Sequence, residues 1–288
     1  MRDVAEGRLW ATSDLHVGYA ENRRIVSGEL RPETPDDWLI VAGDVSETPS
    51  DVEWALGTLA ERFAQVIWTP GNHELYTHPK DPCQLRGLER YEHLVKLCAG
   101  MGVLTPEDPY PQWTGAGGPV TIAPLFALYD YSFRMPGIED AEQAVAAARE
   151  AGVVATDEAI LHPDPYPDRS AWCRARIEET EARLAALPAG TRTVLVNHWP
   201  MTRLPTRVLR HPQFAIWCGT ERTADWHVRF NAAVVIYGHL HIPRTTYEDG
   251  VRFEEVSVGY PREWHVHHHR RGVLRDVFPS VDPIAESF

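Results

Sequence analysis

The sequence predicts an α/β protein built on mixed β-sheets. Five short apolar runs have the length and composition of buried strands, and each is followed by carboxylate, amide or imidazole side chains. Segments with apolar residues at helical spacing lie between several of these runs, and such alternation is typical of α/β sheets. A hairpin signal around Glu248-Asp249-Gly250 adds antiparallel pairing. Together these observations favour sheets that contain both strand directions.

The first hundred residues show a pattern of strand, helix and strand. Residues 9–11 and 36–41 predict the first two strands, and residues 66–68 predict the third. Ser50 is the expected N-cap of a capping box that begins the intervening helix. Apolar residues recur at helical spacing again over residues 84–100, which predicts a further helix.

The rest of the chain continues the alternation, although proline and glycine interrupt it. Apolar residues 120–129 predict a strand that ends near Tyr129-Asp130-Tyr131. The other predicted elements are helices at 138–151 and 170–187, a proline-rich loop at 162–168, strands at 193–196 and 233–236, and a hairpin of 244–247 with 251–258.

Composition argues against several classes of protein. The 288 residues carry a formal net charge of −13, which argues against nucleic-acid binding through bulk electrostatics. No apolar run approaches the roughly 20 residues that a membrane helix needs, and residues 1–6 do not resemble a signal peptide, so we expect a cytoplasmic protein without a membrane partner. The four cysteines form no C-x-x-C pair, so neither a thiolate zinc site nor a disulfide framework is expected. The composition is compatible with a monomer or a dimer.

Chemically active side chains follow the predicted strands at five places. At the carboxyl ends of neighbouring strands in such sheets, groups of this kind can converge on one place. The five stretches are Asp14-Leu15-His16, Gly43-Asp44, Gly71-Asn72-His73-Glu74, Asn197-His198 and Gly238-His239-Leu240-His241. The sequence therefore predicts one functional centre made from distant parts of the chain.

These five stretches, in this order, resemble the signature of the calcineurin-like metallophosphoesterase family. The resemblance implies a four-layer α/β/β/α sandwich, in which two mixed sheets are flanked by helices. It also implies a phosphoric ester hydrolase, and more specifically a phosphodiesterase, that works with two divalent metal ions. We expect one domain over residues 1–288, with a substrate-selecting insertion at about 105–170, where the family commonly carries one.

The resemblance assigns two metal sites that share one carboxylate. It implies that one ion is bound by Asp14, His16, Asp44 and His241, and the other by Asp44, Asn72, His198 and His239. Oxygen and imidazole ligands without thiolate suit manganese, which we expect first, and also iron, zinc, magnesium or cobalt. Spacing gives an independent argument. Asp14 and His16 are two residues apart, as are His239 and His241, and residues two apart on an extended segment lie on the same face.

The same resemblance assigns roles beside the metals. His73 resembles the family's catalytic histidine, which would protonate the leaving oxygen or stabilise the transition state. Glu74, in the same turn, is expected to orient His73 by a hydrogen bond. Aromatic and acidic residues near predicted strand ends are candidates for a substrate wall: Tyr129, Asp130, Tyr131, Trp199, Tyr260 and Trp264.

Three longer runs, at residues 35–44, 224–227 and 254–264, resemble a narrower group, the actinobacterial phosphopantetheinyl hydrolases. This resemblance implies manganese-dependent hydrolysis of the phosphodiester that joins phosphopantetheine to a serine of an acyl carrier protein. Two segments in which arginine outnumbers acidic residues, 199–229 and 262–275, would suit docking of that acidic partner. A solvated face without a partner is the alternative for both segments.

Two other functions stay open on the sequence. One is a phosphodiesterase for a small molecule or a cyclic nucleotide, which would cleave free diesters without preference for a protein. The other is a metal-binding scaffold of the same fold, which would not cleave bis-p-nitrophenyl phosphate in a metal-dependent way. Retention of all seven predicted ligands and of His73 favours an enzyme.

Overall fold

Two β-sheets form the centre of the structure, a computed structural model that describes residues 7–263 and 272–278. The strands of the first sheet are β1 Leu9–Thr12, β2 Trp38–Val41, β3 Gln65–Trp68 and β10 Arg275–Phe278. Their order is β10-β1-β2-β3. Strands β1, β2 and β3 are parallel, whereas β10 runs antiparallel to β1, so this sheet is mixed.

The second sheet is also mixed. Its strands are β4 Gln112–Trp113, β5 Val120–Pro124, β6 Thr193–Val196, β7 Ala232–Tyr237, β8 Thr245–Glu248 and β9 Val251–Glu255. The order is β4-β5-β6-β7-β9-β8, with a parallel centre and antiparallel edge strands β4 and β8. The β8–β9 pair confirms the predicted hairpin, and Asp249 and Gly250 in its turn both have positive φ.

Helices connect the strands on both sides of the two sheets. Those in the described part of the chain are α1 Ala20–Gly28, α2 Pro49–Ala60, α3 Asn72–Leu75, α4 Gly87–Gly100, α5 Ala141–Glu150, α6 Asp157–Ile160, α7 Arg169–Ala185 and α8 Trp226–Arg229. Three short 3-10 helices lie between residues 204 and 223. None of the described helices combines the length and the apolarity that crossing a membrane requires.

Apolar side chains from both faces of the strands explain the layered packing. One buried cluster lies between the sheets and takes side chains from each: Leu9, Ala11, Ile40, Ile67, Ile122, Val194, Val196, Val234 and Ile236. The alternate side chains of the same strands, such as Leu39 and Val66, belong to a second cluster with helix residues such as Leu56 of α2. Strands buried on both faces read as continuous apolar runs, as the sequence does here. The predicted fold class, two mixed sheets flanked by helices, is confirmed.

Helix α2 begins earlier than the capping box predicts. The N-cap is Thr48 and not Ser50, and the Thr48 hydroxyl accepts a hydrogen bond from the backbone N–H of Asp51 at 3.3 Å. Pro49 occupies the first helical position. Because the fixed φ of proline suits that position, the cap falls on the residue before it.

The strand predicted over residues 120–129 ends at Pro124. Beyond it, the side-chain amide of Asn197 accepts from the backbone N–H of Ala127 at 3.0 Å and donates to its carbonyl at 3.1 Å. This side chain satisfies the backbone groups that a neighbouring strand would otherwise pair. The buried backbone groups of Ala127 are therefore satisfied where the chain leaves the sheet.

Helix α6, which the sequence does not predict, rests on the segment that follows α3. The backbone N–H of Thr77 donates to the carbonyl of Ile160 at 2.9 Å, and Tyr76 forms an isolated β-bridge with Leu161. The guanidinium of Arg169 donates to the carbonyls of Leu161 and Asp157 at 2.9 and 2.5 Å. Part of the region 105–170 is thereby fixed beside the turn that carries Asn72 and His73.

Candidate metal centre

The carboxyl ends of five strands bring the predicted ligands to one edge of the sandwich. Those that follow the first sheet are carboxylates, an amide and one imidazole, and those that follow the second sheet are imidazoles. The residues are Asp14 and His16 after β1, Asp44 after β2, Asn72 after β3, His198 after β6, and His239 and His241 after β7. Each sheet thus contributes part of one cluster, as the strand-end argument predicts.

Three side chains form the first group of donor atoms. The Oδ1 atom of Asp14 lies 3.0 Å from Nε2 of His241, and that nitrogen lies 3.2 Å from Nε2 of His16. The other ring nitrogen of His241 lies 2.7 Å from a carboxylate oxygen of Glu263. A carboxylate in that place favours a proton on Nδ1, which leaves the Nε2 lone pair directed into the group.

A second group of donors surrounds the side-chain oxygen of Asn72. This oxygen lies 3.2 Å from Nε2 of His198 and 3.1 Å from Nδ1 of His239. His198 Nε2 also lies 3.3 Å from Oδ2 of Asp44. The Nδ1 atom of His198 lies 2.8 Å from the carbonyl of Ala42, which can only accept, so that nitrogen carries the proton.

The electrostatics of both groups suit divalent cations. Burial lowers the pKa of His198, but the nearby Asp44 outweighs burial and raises it to about 9. Burial likewise opposes a proton on His241, but Asp14 raises its pKa to about 10. The buried carboxylates thus draw positive charge into the centre, as they would draw metal ions.

The imidazole of His239 supports the same fit. Its Nδ1 lies in the second group of donors, 3.1 Å from the side-chain oxygen of Asn72. Burial and the neighbouring His198 lower the pKa of His239 to about 3, so its imidazole is neutral and able to act as a ligand. Oxygen and imidazole donors without thiolate therefore fit two hard or borderline divalent ions.

The spacing argument requires an extended backbone at the ligands. The backbone there is left-handed instead. The φ angles are 53° at Asp14, 42° at His16, 55° at Asp44, 71° at His239 and 54° at His241. Non-glycine residues in this region carry strain of roughly 1–3 kcal/mol each and cluster at functional sites. The members of one pair also face different groups, since His239 meets the Asn72 amide whereas His241 meets Asp14.

Glycine is required beside two of the carboxylates. A Cβ on Gly71 would collide with Oδ1 of Asp44, and a Cβ on Gly238 would collide with Oδ2 of Asp14. These close approaches explain why the glycines of the two motifs stand where they do.

His73 lies at the edge of the centre with its own set of partners. Its backbone N–H donates to Oδ1 of Asp44 at 2.9 Å, and its Nε2 lies 3.8 Å from Oδ2 of the same residue. Its Nδ1 lies 3.2 Å from Glu47, and its Nε2 lies 3.3 Å from the hydroxyl of Tyr260. Burial lowers the pKa of His73, but Asp44 and Glu47 together raise it above its usual value. The imidazole is thus suited to hold a proton beside the centre.

The orienting role predicted for Glu74 is wrong. In the described structure its carboxylate accepts from the backbone N–H groups of Asp44, Val45 and Gly71 at 2.9–3.0 Å, and from the indole of Trp68 at 3.3 Å. It therefore holds the Asp44 loop against the Gly71 turn, and Glu47 is the carboxylate that orients His73. Burial, with a contribution from Asp44, raises the pKa of Glu74 to about 7.

A cleft of about 610 Å³ opens beside the centre. Its ligand side includes Asp44, Asn72 and His73. The other walls come from four segments: residues 153–157, 209–214, 239–242 and 260–263. The first of these segments belongs to the predicted insertion, which places that region beside the reacting groups.

The lining of the cleft contradicts most of the predicted substrate-binding residues. Tyr260 lines the cleft. Tyr129 and Trp199 are fully buried behind it, with Trp199 packed edge-on to His198. Asp130 instead accepts from the hydroxyl of Thr220 at 2.9 Å. Tyr131 donates to Glu158 at 2.8 Å and is likewise away from the cleft, and Trp264 lies outside the described residues.

Comparison with known proteins finds relatives over nearly the whole chain. Residues 7–243 match a family model described as Calcineurin-like phosphoesterase. Over 260 residues the chain is 57% identical to the acyl-carrier-protein phosphodiesterase PptH of Mycobacterium tuberculosis, a match that covers 90% of this chain and 80% of that protein. The crystal structure of phosphopantetheinyl hydrolase (PptH) from the same organism matches with a TM-score of 0.95 and 54% identity, over 98% of this chain and 99% of that one.

Proposed function

Because this chain belongs to the calcineurin-like phosphoesterase family, and is therefore a metal-dependent hydrolase, we propose that it cleaves phosphopantetheine from the serine of an acyl carrier protein. The observation that carries the proposal is the 57% identity, over 90% of this chain, to a relative named as an acyl-carrier-protein phosphodiesterase. The clustering of all predicted ligands around His73 supports phosphodiester chemistry at the site.

The proposed ligands divide between two ions that share Asp44. Asp14, His16 and His241 would hold one ion, and Asn72, His198 and His239 would hold the other. Bound divalent ions supply Lewis-acid activation of water and neutralise charge on the phosphoryl group. We propose manganese; iron, zinc, magnesium and cobalt accept the same donors.

His73 moves the proton that the reaction requires. As the oxygen of water bonds to phosphorus and the bond from phosphorus to the seryl oxygen breaks, Nε2 of His73 donates its proton to that leaving oxygen. The proton that the attacking water loses passes to solvent, and His73 takes up a proton from solvent before the next turnover. Glu47 holds the opposite ring nitrogen at 3.2 Å and so directs Nε2 toward the centre. The products are free phosphopantetheine and a carrier protein with a free serine.

The cleft supports a substrate with a long flexible arm. Its volume of about 610 Å³ lies in the range of roughly 300–1,000 Å³ that is typical of small-molecule sites. Apolar side chains line part of it: Val153, Val154, Leu209, Phe214, Leu240 and Ile242. We propose that residues 153–157 make region 105–170 the substrate-selecting insertion, with the methyl groups of the pantetheine arm against this wall.

Exposed arginines at the cleft rim suit an acidic protein partner. Arg207 and Arg210 are exposed, and neither has an ion-pair partner among the described residues. Arg210 and the exposed Arg262 line the cleft mouth. Acyl carrier proteins are acidic, so these charges would steer a carrier toward an enzyme whose net charge is −13. Arg271 of the second arginine-rich segment lies outside the described residues, as does the histidine cluster at 265–269.

Reversing two of these charges tests the docking surface. We expect Arg207→Glu with Arg210→Glu to raise KM for holo carrier protein by about tenfold at low salt, because steering by exposed charges is screened as salt rises. Arg24→Glu with Arg174→Glu makes the same charge change at exposed positions away from the cleft. Steady-state kinetics at two salt concentrations compare the pairs. Equal KM values for both pairs would rule out docking at this rim.

Intact mass measurement tests the proposed reaction. We expect holo carrier protein to lose phosphopantetheine when incubated with Mn²⁺-loaded enzyme, and to stay intact when EDTA is present. An unchanged carrier, with bis-p-nitrophenyl phosphate still cleaved, would reject the carrier as substrate and favour a small-molecule or cyclic-nucleotide phosphodiesterase. Failure to cleave either compound would favour a metal-binding scaffold.

A further inference from the structure

We propose that Asp157, at the start of α6, is a positioning residue for the side-chain amide of Asn72. It fixes this amide for the second metal ion, which is the ion assigned to Asn72, His198 and His239. The inference rests on the metal assignment of the proposed function, and it does not depend on which ester is the substrate. None of the five motifs contains Asp157, which lies in the region between β5 and β6.

The contacts place Asp157 on the nitrogen end of the Asn72 amide. The Nδ2 atom of Asn72 donates to Oδ1 of Asp157 at 3.1 Å and to the hydroxyl of Tyr76 at 2.8 Å. The Tyr76 hydroxyl in turn donates to the same oxygen of Asp157 at 2.5 Å. All three side chains are buried at the base of the cleft, which limits competition from water for these bonds. The three groups form one closed hydrogen-bonded triangle.

This triangle determines which end of the amide faces the metal ligands. A primary amide has an oxygen that can bind a cation and an NH₂ group that cannot. Oδ1 of Asp157 accepts from both the NH₂ group of Asn72 and the hydroxyl of Tyr76, so it holds the NH₂ end and would repel the oxygen end. The oxygen of Asn72 is therefore directed at His198 and His239, which lie 3.2 and 3.1 Å away.

Asp157 can act in this way because its own backbone is held. The guanidinium of Arg169 donates to its carbonyl at 2.5 Å, and the backbone of Thr77 donates to Ile160 at the other end of α6.

The affinity for Mn²⁺ distinguishes a positioning role of Asp157 from a direct role in catalysis. In Asp157→Asn the new side chain keeps its shape, but its amide can present either end to Asn72. Carboxylates that orient metal ligands are typically worth about 10–100-fold in metal affinity. We therefore expect one of two Mn²⁺ equivalents to bind about 10–100-fold more weakly in a calorimetric titration, with the other unchanged. Asp140→Asn removes an exposed carboxylate that caps α5 in the same region and should leave both affinities unchanged.

Exchange of the two side chains provides a rescue that a merely structural role would not produce. In Asn72→Asp/Asp157→Asn, the new carboxylate offers oxygen to the metal in either orientation, and the new amide can donate to it. We expect this double variant to bind the second Mn²⁺ more tightly than Asp157→Asn alone. Asn72→Asp alone should bind it poorly, because two carboxylates would then meet across a 3.1 Å contact.

Three results would overturn the inference. They are two tight Mn²⁺ equivalents in Asp157→Asn, equal weakening of both equivalents with no rescue in the double variant, and fewer than two equivalents in the wild-type protein. Only the last also removes the metal assignment. Thermal unfolding of the metal-free variants checks that each is folded, and cleavage of holo carrier protein by the wild type tests the proposed function separately.

Discussion

Replacing His73 with glutamine should lower kcat toward holo carrier protein by roughly 10²–10⁴-fold, which is the usual contribution of general acid catalysis. Glutamine keeps a polar side chain of similar reach but cannot transfer a proton. Because His73 is not one of the seven proposed ligands, both Mn²⁺ equivalents should still bind. Steady-state kinetics and metal content, measured on the same preparation, check the two parts of this prediction. In the mass assay, His73→Ala should likewise leave the holo carrier protein largely intact.

A matched variant separates the proton on His73 from its position. Glu47 raises the pKa of His73 through the contact at Nδ1. A raised pKa keeps the imidazole protonated to higher pH, and activity is lost as pH rises through that pKa. Glu47→Gln should therefore move the basic limb of the kcat profile to lower pH while leaving a functional imidazole. Unchanged kcat in His73→Gln would remove His73 from the proton-transfer role.

Loss of Arg90 should destabilise the protein by about 3–5 kcal/mol, the usual cost of leaving a buried charge without its partner. The Arg90 guanidinium on α4 is fully buried and lies 2.9 Å from Asp81. It also donates to the backbone carbonyls of Glu47 and Glu74, each at 2.7 Å. In Arg90→Met, Asp81 stays buried without its cation, and the carbonyls of Glu47, Glu74 and Cys83 lose their donor. The segments that carry Glu47 and His73 lose a shared support.

Chemical denaturation of the metal-free protein measures this effect without a contribution from bound ions. Arg86→Met makes the same change at an exposed position just before α4 and should alter the free energy of unfolding by less than about 0.5 kcal/mol. Replacing both Arg90 and Asp81 by neutral residues should recover part of the loss, because the unpaired charge is then absent. A loss below about 1 kcal/mol in Arg90→Met would show that the ion pair contributes little.

The metal centre was predictable because its side chains follow recognisable strands at motif spacing. Asp14, Asp44 and His198 each follow an apolar run within three residues, and runs of that kind end at a common edge. The fold class followed from the same alternation of elements. The hairpin at Asp249-Gly250 was predictable from turn chemistry alone.

The supporting residues were not predictable, because their partners are distant in sequence. Asp157 meets Asn72 across 85 positions, and Arg90 meets Glu47 across 43. Glu47 stands three residues after Asp44, close enough to be considered, but only the folded loop shows that it faces His73. The prediction that Tyr129 and Trp199 line the cleft was wrong, because an aromatic residue beside a strand end can equally well be buried or exposed in a cleft.

The division of the ligands between the two sheets has a consequence for synthesis of the chain. His241 meets Asp14 across 227 positions. At translation rates of roughly 5–20 residues per second, the two residues leave the ribosome about 10–45 s apart. The residues of the first sheet therefore present their carboxylates long before the histidines that complete either site are made. A metal ion held by ligands from both sheets can join them only after His239 and His241 have left the ribosome.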